Sequence, residues 1–240
     1  MPDNTIFLHG WGMSGRLFDP LIANLGLIPC VAPQLPGYPR SDWKAGLSFD
    51  QQVDAMRQSL PGGHLVGWSL GGLFAIELAA RYPDQFNALT LIACNPCFIK
   101  KSDWDCAIDA SVFDSFHDSL VMDWRATLRR FLALQMQGEG EARQLTRDLT
   151  RQVLGEETPH LETLSSGLGF LKRIDARARL AELKQPVKLI LGERDRLVPF
   201  DLAQQIREFE PGIRVESVAG AGHAPFVSHS RQVAAMLSVD

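Results

Sequence analysis

Short apolar runs bounded by turn residues recur along the chain, at Ile6 to Leu8, Ile28 to Ala32, His64 to Gly67, Ala88 to Ala93, Val187 to Leu191 and Val215 to Val218. Their length suits buried strands rather than helices. Between most of them the spacing turns helical, as in Leu70, Leu73, Phe74, Ile76, Leu78 and Ala79, a series that stops at Tyr82-Pro83 because proline cannot continue a helix. Strands that alternate with helices build a parallel sheet covered on both faces. The predicted fold class is therefore α/β, and 240 residues with 45% hydrophobic content suffice for one sizeable core.

The rhythm breaks between Phe98 and Arg179, which hold no convincing strand. Amphipathic helical patterns run over Trp104 to Phe116, Leu120 to Met136, Glu139 to Leu154 and Pro159 to Leu171, separated by Gly138, Gly140 and the stretch from Gly155 to Pro159. The chain thus reads as a core of residues 1–97 and 180–240 with a helical insertion, a lid, at 98–179.

A net charge of -4 lacks the overall basic field that nonspecific nucleic-acid binding needs, so no nucleic acid is expected as partner. No basic segment leads an apolar run at the N-terminus and no long apolar stretch occurs, which predicts a cytoplasmic protein without a membrane partner. A monomer is expected. Four cysteines, Cys30, Cys94, Cys97 and Cys106, do not make a disulfide framework. Cys94-Asn95-Pro96-Cys97 has the CxxC spacing of redox and zinc sites, but no second pair accompanies it, and neither a metal nor a cofactor is expected.

The chemistry centres on Val66-Gly67-Trp68-Ser69-Leu70-Gly71-Gly72-Leu73. A strand leads into Gly-x-Ser-x-Gly and a helix follows, the setting of a nucleophile elbow: glycines two positions to either side clear room for a sharp turn that stands one hydroxyl above the sheet. A serine hydroxyl needs a base. Of six histidines, His223 is favoured, because the loop Ala219 to Phe226 directly follows a strand. His229, His117, His160 and His64 sit in less suitable places. The imidazole needs a carboxylate to hold its tautomer. Asp195 is favoured over Glu193 and Asp201, the last of these suiting the N-cap of a helix from Leu202. For the developing oxyanion, the Leu70 amide at the helix start is one donor and the Trp11 amide, in His9-Gly10-Trp11-Gly12, the second. His9 is expected to brace that turn.

Through "HGWG", "GWSLGG", "GERDRLVP" and "GAGHAPF" the chain resembles the α/β-hydrolases. Through "HGWGMSGRLFD", "NPCFIKKSDW", "RRFLALQMQG" and "HAPFVSH", which reach into the insertion, it resembles more narrowly the pimeloyl-acyl-carrier-protein methyl ester carboxylesterases of biotin synthesis. The resemblance implies catalytic roles for Ser69, Asp195 and His223 and oxyanion roles for the amides of Trp11 and Leu70. The usual aspartate of that family is Gln34 here and a later glycine is Pro39, changes expected to reshape the rim rather than the triad.

The insertion also concentrates cations, with Arg125, Arg129, Arg130, Arg143, Arg147 and Arg151 in a short span. Arg143, Arg147 and Arg151 share one helix face, where like charges repel by a few tenths of a kcal/mol per pair. An acidic partner explains this crowding, and the resemblance points to an acyl carrier protein, with Arg130, Arg143 and Arg147 as contacts. The plain alternative is a solvated face. Trp11, Trp68, Phe74 and Phe226 are candidate walls for an acyl chain, and Phe131 is a candidate lining of its channel. Besides the carrier-bound ester, two readings stay open: a hydrolase of free small-molecule esters, lactones or thioesters, and a ligand-binding receptor of the same fold with little turnover.

Overall fold

The computed structural model describes residues 4–26, 28–44, 46–137, 142–155 and 158–237, with the side chains at 142, 143, 145, 146, 149 and 152 outside that description. Its strands are β1 (Asn4–Leu8), β2 (Cys30–Val31), β3 (Gly63–Trp68), β4 (Phe86–Ile92), β5 (Val187–Gly192) and β6 (Arg214–Val218). They form one sheet in the order β2-β1-β3-β4-β5-β6, and every neighbouring pair is parallel.

From β1 the chain steps outward to β2 and then returns past β1 to lay down β3. The connections that leave β1 and β3 thus run in opposite directions, and a crevice opens beyond the C-terminal ends of these two strands, where ligands of such sheets bind. The register Leu8↔Gly67 brings those two ends side by side. Residues that are adjacent in a strand point to opposite faces. Gly67 faces helix α3 (Leu70–Arg81), against the backbone of Gly72, whereas Trp68 faces Phe226 of helix α10 (Pro225–Ser228) on the other side.

Shorter helices complete the two layers: α1 (Asp19–Ile22), α2 (Phe49–Ser59), α9 (Leu202–Phe209) and α11 (Ser230–Leu237). The start of α2 follows from local chemistry, since Ser48 and Gln51 form a reciprocal capping box. Strand β2 is shorter than its apolar run, because Pro29 and Pro33 bracket it without N–H groups and it lies at the sheet edge.

Between β4 and β5 lie α4 (Ala110–Met122), α5 (Trp124–Gln135), α6 (Ala142–Val153), α7 (Leu161–Arg173) and α8 (Arg177–Ala181). The helix expected from Trp104 starts only at Ala110. Trp104 is instead buried in a turned segment, where its indole donates to Asn95 Oδ1 at 2.9 Å. The pattern from Leu120 to Met136 is likewise two helices, because the Asp123 side chain accepts from the Ala126 amide at 3.0 Å and starts a new one. Asp201 does head α9, but no side-chain capping bond comes from it.

Candidate active site

Ser69 joins β3 to α3 with φ 52 and ψ -117, a backbone region that strains any residue with a β-carbon by about 1–3 kcal/mol. The surroundings impose it. Its N–H donates to Ile92 O at 3.0 Å and its carbonyl accepts from Gly72 N–H at 2.9 Å. A β-carbon on Gly71 would lie 2.1 Å from the Leu8 carbonyl oxygen, and one on Gly67 would lie 2.6 Å from Gly72 Cα. The turn is therefore as tight as backbone contact allows. Leu70 is the first residue of α3, so its amide has no carbonyl one turn earlier to accept it and adds the positive end of the helix dipole beside the hydroxyl.

His223 and Asp195 meet in the interior. Nδ1 of the imidazole lies 2.8 Å from Asp195 Oδ2. The other carboxylate oxygen accepts from the amides of Leu197 at 2.7 Å and Val198 at 3.0 Å, which fixes its plane and leaves Oδ2 for the ring. A neutral imidazole that donates from Nδ1 keeps its lone pair on Nε2, the form a general base needs. The peptide of His223 is held as well. Its N–H donates to Gln135 O of α5 at 3.2 Å, and its carbonyl accepts from the Trp68 indole at 2.9 Å. Of the competing carboxylates, Glu193 is exposed and accepts from Ser217 Oγ at 3.4 Å, while Asp201 is exposed at the head of α9. His64 pairs with Thr90 Oγ1 at 2.8 Å and His229 with Ser228 Oγ at 2.7 Å, so neither accompanies Asp195.

Beyond β1 the chain turns at Gly10 to Met13, closed by Met13 N–H to Gly10 O at 3.3 Å, with Gly12 at φ 72 where glycine is favoured. His9 braces the turn from inside. Its Nδ1 lies 2.9 Å from Gly10 O and its Nε2 accepts from the Leu35 amide at 2.9 Å. Burial pushes its pKa down to about 4, so the ring stays neutral and both bonds persist. Tyr38 supports the same turn: its hydroxyl accepts from Gly12 N–H at 2.8 Å, and burial pushes the phenol upward. Gln34 donates to Ser14 Oγ at 2.9 Å on the flank of this loop and also bonds to the His9 ring.

Ser69 and His223 open onto one cavity of about 600 Å³, its mouth included. Its other walls are Trp11 and Phe98, then Ile108, Val112, Phe113 and Phe116 around α4, Phe131 and Leu134 from α5, Leu168 and Leu171 from α7, and Leu197. Trp11 stands edge-on to Phe116 and Phe131, with ring centroids 5.5 and 4.9 Å away.

Three of the expected walls lie elsewhere. Trp68 points to the opposite side of β3 and holds the His223 carbonyl. Phe226 packs on Trp68 and Phe18, and Phe74 packs on Phe49 and Phe170. Strand alternation accounts for Trp68, since adjacent residues cannot share a face.

Arg130 is exposed on α5 and donates to Thr127 Oγ1 at 3.1 Å. On α6, Arg147 donates to Gln144 Oε1 at 2.6 Å, and Arg151 lies 3.5 Å from Asp148 with its side chain 81% exposed. The side chain of Arg143 lies outside the described residues. Cys94 and Cys97 are free thiols. The former is buried against Gly72, where a β-carbon would meet its Sγ at 2.4 Å, and burial raises its pKa. Among the described residues no group of three or more His, Cys, Asp and Glu side chains is placed to hold a metal, and no helix is long and apolar enough to cross a membrane.

Tyr38, Gln135 and the apolar walls from α4 and α7 were not apparent as site residues in the sequence. Tyr38 carried a faint signal in its Pro36-Gly37-Tyr38-Pro39 turn; the others make contacts that no local pattern announces.

A hydroxyl on a strained turn, an imidazole oriented by a carboxylate and a helix-head amide are the parts that acyl transfer requires, and this sheet with this turn defines an α/β hydrolase. The chain belongs to the alpha/beta hydrolase family, whose model matches residues 5–236. It is 40% identical over 234 residues to a pimeloyl-[acyl-carrier protein] methyl ester esterase of Xanthomonas campestris pv. campestris (strain B100), covering 97% of this chain and 92% of that one. It is 36% identical over 235 residues to the protein of the same name from Serratia marcescens, covering 98% and 92%. Among solved structures, an esterase from Exiguobacterium antarcticum superposes with a TM-score of 0.86 over 98% of this chain and 90% of that chain, at 19% identity. A bromoperoxidase from Bacillus anthracis does so with a TM-score of 0.86 over 99% and 91%, also at 19% identity. At such identities these two speak for the fold alone.

Proposed function

We propose that the protein is a serine carboxylesterase that removes the methyl ester from a pimeloyl chain carried by acyl carrier protein, as the names of its relatives in Xanthomonas campestris and Serratia marcescens describe for them. In this reading residues 98–179 form the lid over the core. The single observation that carries it is the apolar cavity over Ser69 and His223, whose remaining described walls are hydrophobic. A hydrocarbon chain gains about 0.8 kcal/mol per buried methylene, so the five methylenes of a pimeloyl chain contribute roughly 4 kcal/mol without any charged contact.

In this reading each of the three side chains takes its own part in the reaction. Ser69 Oγ attacks the ester carbonyl while His223 Nε2 takes its proton, and Asp195 stabilises the resulting imidazolium. The negative charge on the carbonyl oxygen falls to the amides of Leu70 and Trp11. Collapse expels methoxide, which takes the proton from His223 and leaves as methanol. Water, deprotonated by the same imidazole, hydrolyses the acyl-enzyme and releases the carboxylate. Exposed Arg130, Arg147 and Arg151 offer an acidic carrier a basic landing surface on the lid.

The test is to incubate the protein with acyl carrier protein bearing the methyl pimeloyl thioester and to weigh the carrier by mass spectrometry. Loss of one methylene's mass with the thioester intact is expected. An unchanged carrier, or one stripped of its acyl chain, would overturn the reading.

A further inference from the structure

Two lid helices reach down and hold the loops of the candidate site. The Trp11 indole donates to the carbonyl of Leu164 in α7 at 2.7 Å. One turn further along α7 stands Gly167, where a β-carbon would lie 2.9 Å from Trp11 Cδ1 and 3.2 Å from Leu70 Cδ2. One small residue of the lid is thus set against the side chains of both residues whose amides are read as the oxyanion donors. On helix α5, the Gln135 carbonyl accepts the His223 amide at 3.2 Å, and a β-carbon on Gly12 would lie 2.8 Å from Leu128 Cδ1.

We propose that α7, through Gly167 and the Leu164 carbonyl, sets the position of the oxyanion amides, so that Gly167 is a positioning residue for acyl transfer. This rests on the reading of the Trp11 and Leu70 amides as the oxyanion donors. The loop that carries Trp11 has glycine on either side, at Gly10 and Gly12, and such a segment does not hold one conformation by local preference. An oxyanion donor must stand about 2.7–3.1 Å from the oxygen it serves, so the loop needs a rigid outside reference. The indole supplies it: buried, edge-on to both Phe116 and Phe131, which also touch each other, and tied at Nε1 to a helix carbonyl. Glycine is a poor residue for a helix interior, and at position 167 it answers a spatial need, since the indole and Leu70 fill the place of a methyl group. The roof of the cavity is in this way part of the frame that aligns the chemistry.

The test compares Trp11→Phe, which keeps a ring but loses the Leu164 bond, with Gly167→Ala, which pushes on the same edge of the ring. Both are assayed with p-nitrophenyl acetate, whose acyl group is too small to report on packing in the cavity. Each is expected to lower kcat by about tenfold or more with KM within about twofold, and to weaken a boronic acid inhibitor that places an oxygen at the oxyanion position in parallel with kcat. Because phenylalanine leaves room for the added methyl, the double variant should lose less than the product of the two single losses. If one variant does not fold, the other carries the comparison. A kcat within about twofold of the parent in a folded variant, with only the melting temperature lowered, overturns the proposal. Ser69→Ala run beside them separates the two readings: activity lost there but kept in both others overturns the positioning role alone, whereas activity kept in Ser69→Ala overturns the site itself.

Discussion

His223 and Asp195 form a buried pair, Nδ1 to Oδ2 at 2.8 Å, with side chains 1% and 0% exposed, and the second oxygen of Asp195 is already committed to the amides of Leu197 and Val198. Those two amides decide what Asp195→Asn does. Their donors require the asparagine oxygen on their side, which turns its NH2 toward His223 and forces Nδ1 to accept and Nε2 to carry the proton. The fold is kept and the base is lost. We expect kcat for p-nitrophenyl acetate to fall by about three to four orders of magnitude while the melting temperature changes little; a loss below tenfold contradicts the assignment of Asp195.

The elbow predicts a sharp difference between glycines. A β-carbon on Gly71 meets the carbonyl oxygens of Leu8 at 2.1 Å and His9 at 2.7 Å, and neither strand end can move without breaking the sheet. On Gly212 the nearest atom is the flexible Glu210 carboxylate at 3.5 Å. Urea unfolding should show Gly71→Ala destabilised by about 3 kcal/mol or more and Gly212→Ala changed by about 0.5 kcal/mol or less.

Acid should weaken the protein before its carboxylates are protonated. Burial lowers the pKa of His9 to about 4, and burial together with the Lys188 charge lowers that of His64 to about 4. The unfolded chain binds these protons below the ordinary value of 6.5, whereas the folded chain resists them until about 4, so stability falls as pH drops across that window. The two groups together account for a few kcal/mol. His64→Gln should flatten the pH dependence of the unfolding free energy between pH 6.5 and 4; an equally steep curve refutes the assignment.

The walls of the cavity predict where hydrolysis stops. Apart from Ser69 and His223 its described lining is apolar, so a carboxylate on the far end of a short acyl chain loses hydration without gaining a partner. Dimethyl pimelate should therefore be converted to the monomethyl ester and accumulate there, with the second step slower by about tenfold or more. Chromatography that shows steady conversion to the diacid at the first rate would count against this.

Exposed arginines on the helices between β4 and β5 predict a salt effect. Arg130→Glu together with Arg147→Glu should raise KM for the carrier-linked ester several-fold and leave its kcat in place, and added salt should weaken the parent in the same way. A carrier-linked KM indifferent to both salt and charge reversal would leave the arginines as a solvated face.

Much of the fold was legible because its rules are local. Apolar runs of strand length, helical spacing after Ser69 and the proline stop at Tyr82-Pro83 each act over a few residues, and together they specify a parallel α/β sheet. The same holds for the turn at Ser69, where glycine spacing alone states that the backbone is crowded. Helix starts in the insertion were less legible. Burial of Trp104 and the cap at Asp123 overrode the apolar periodicity, which is indifferent to where a helix begins.

By itself, then, the sequence determined the class of fold, the elbow with its hydroxyl, and the chain order of hydroxyl, carboxylate and imidazole. Tertiary structure alone decided which aromatic residues face the cavity, that Trp68 holds the His223 carbonyl across 155 positions, and that Trp11 is tied to Leu164 across 153. The reason is physical: a turn or a helix is set by neighbours along the chain, but a partner brought by the sheet from far away is chosen by packing and by the demand that a buried polar group be satisfied, and neither leaves a mark in the nearby sequence.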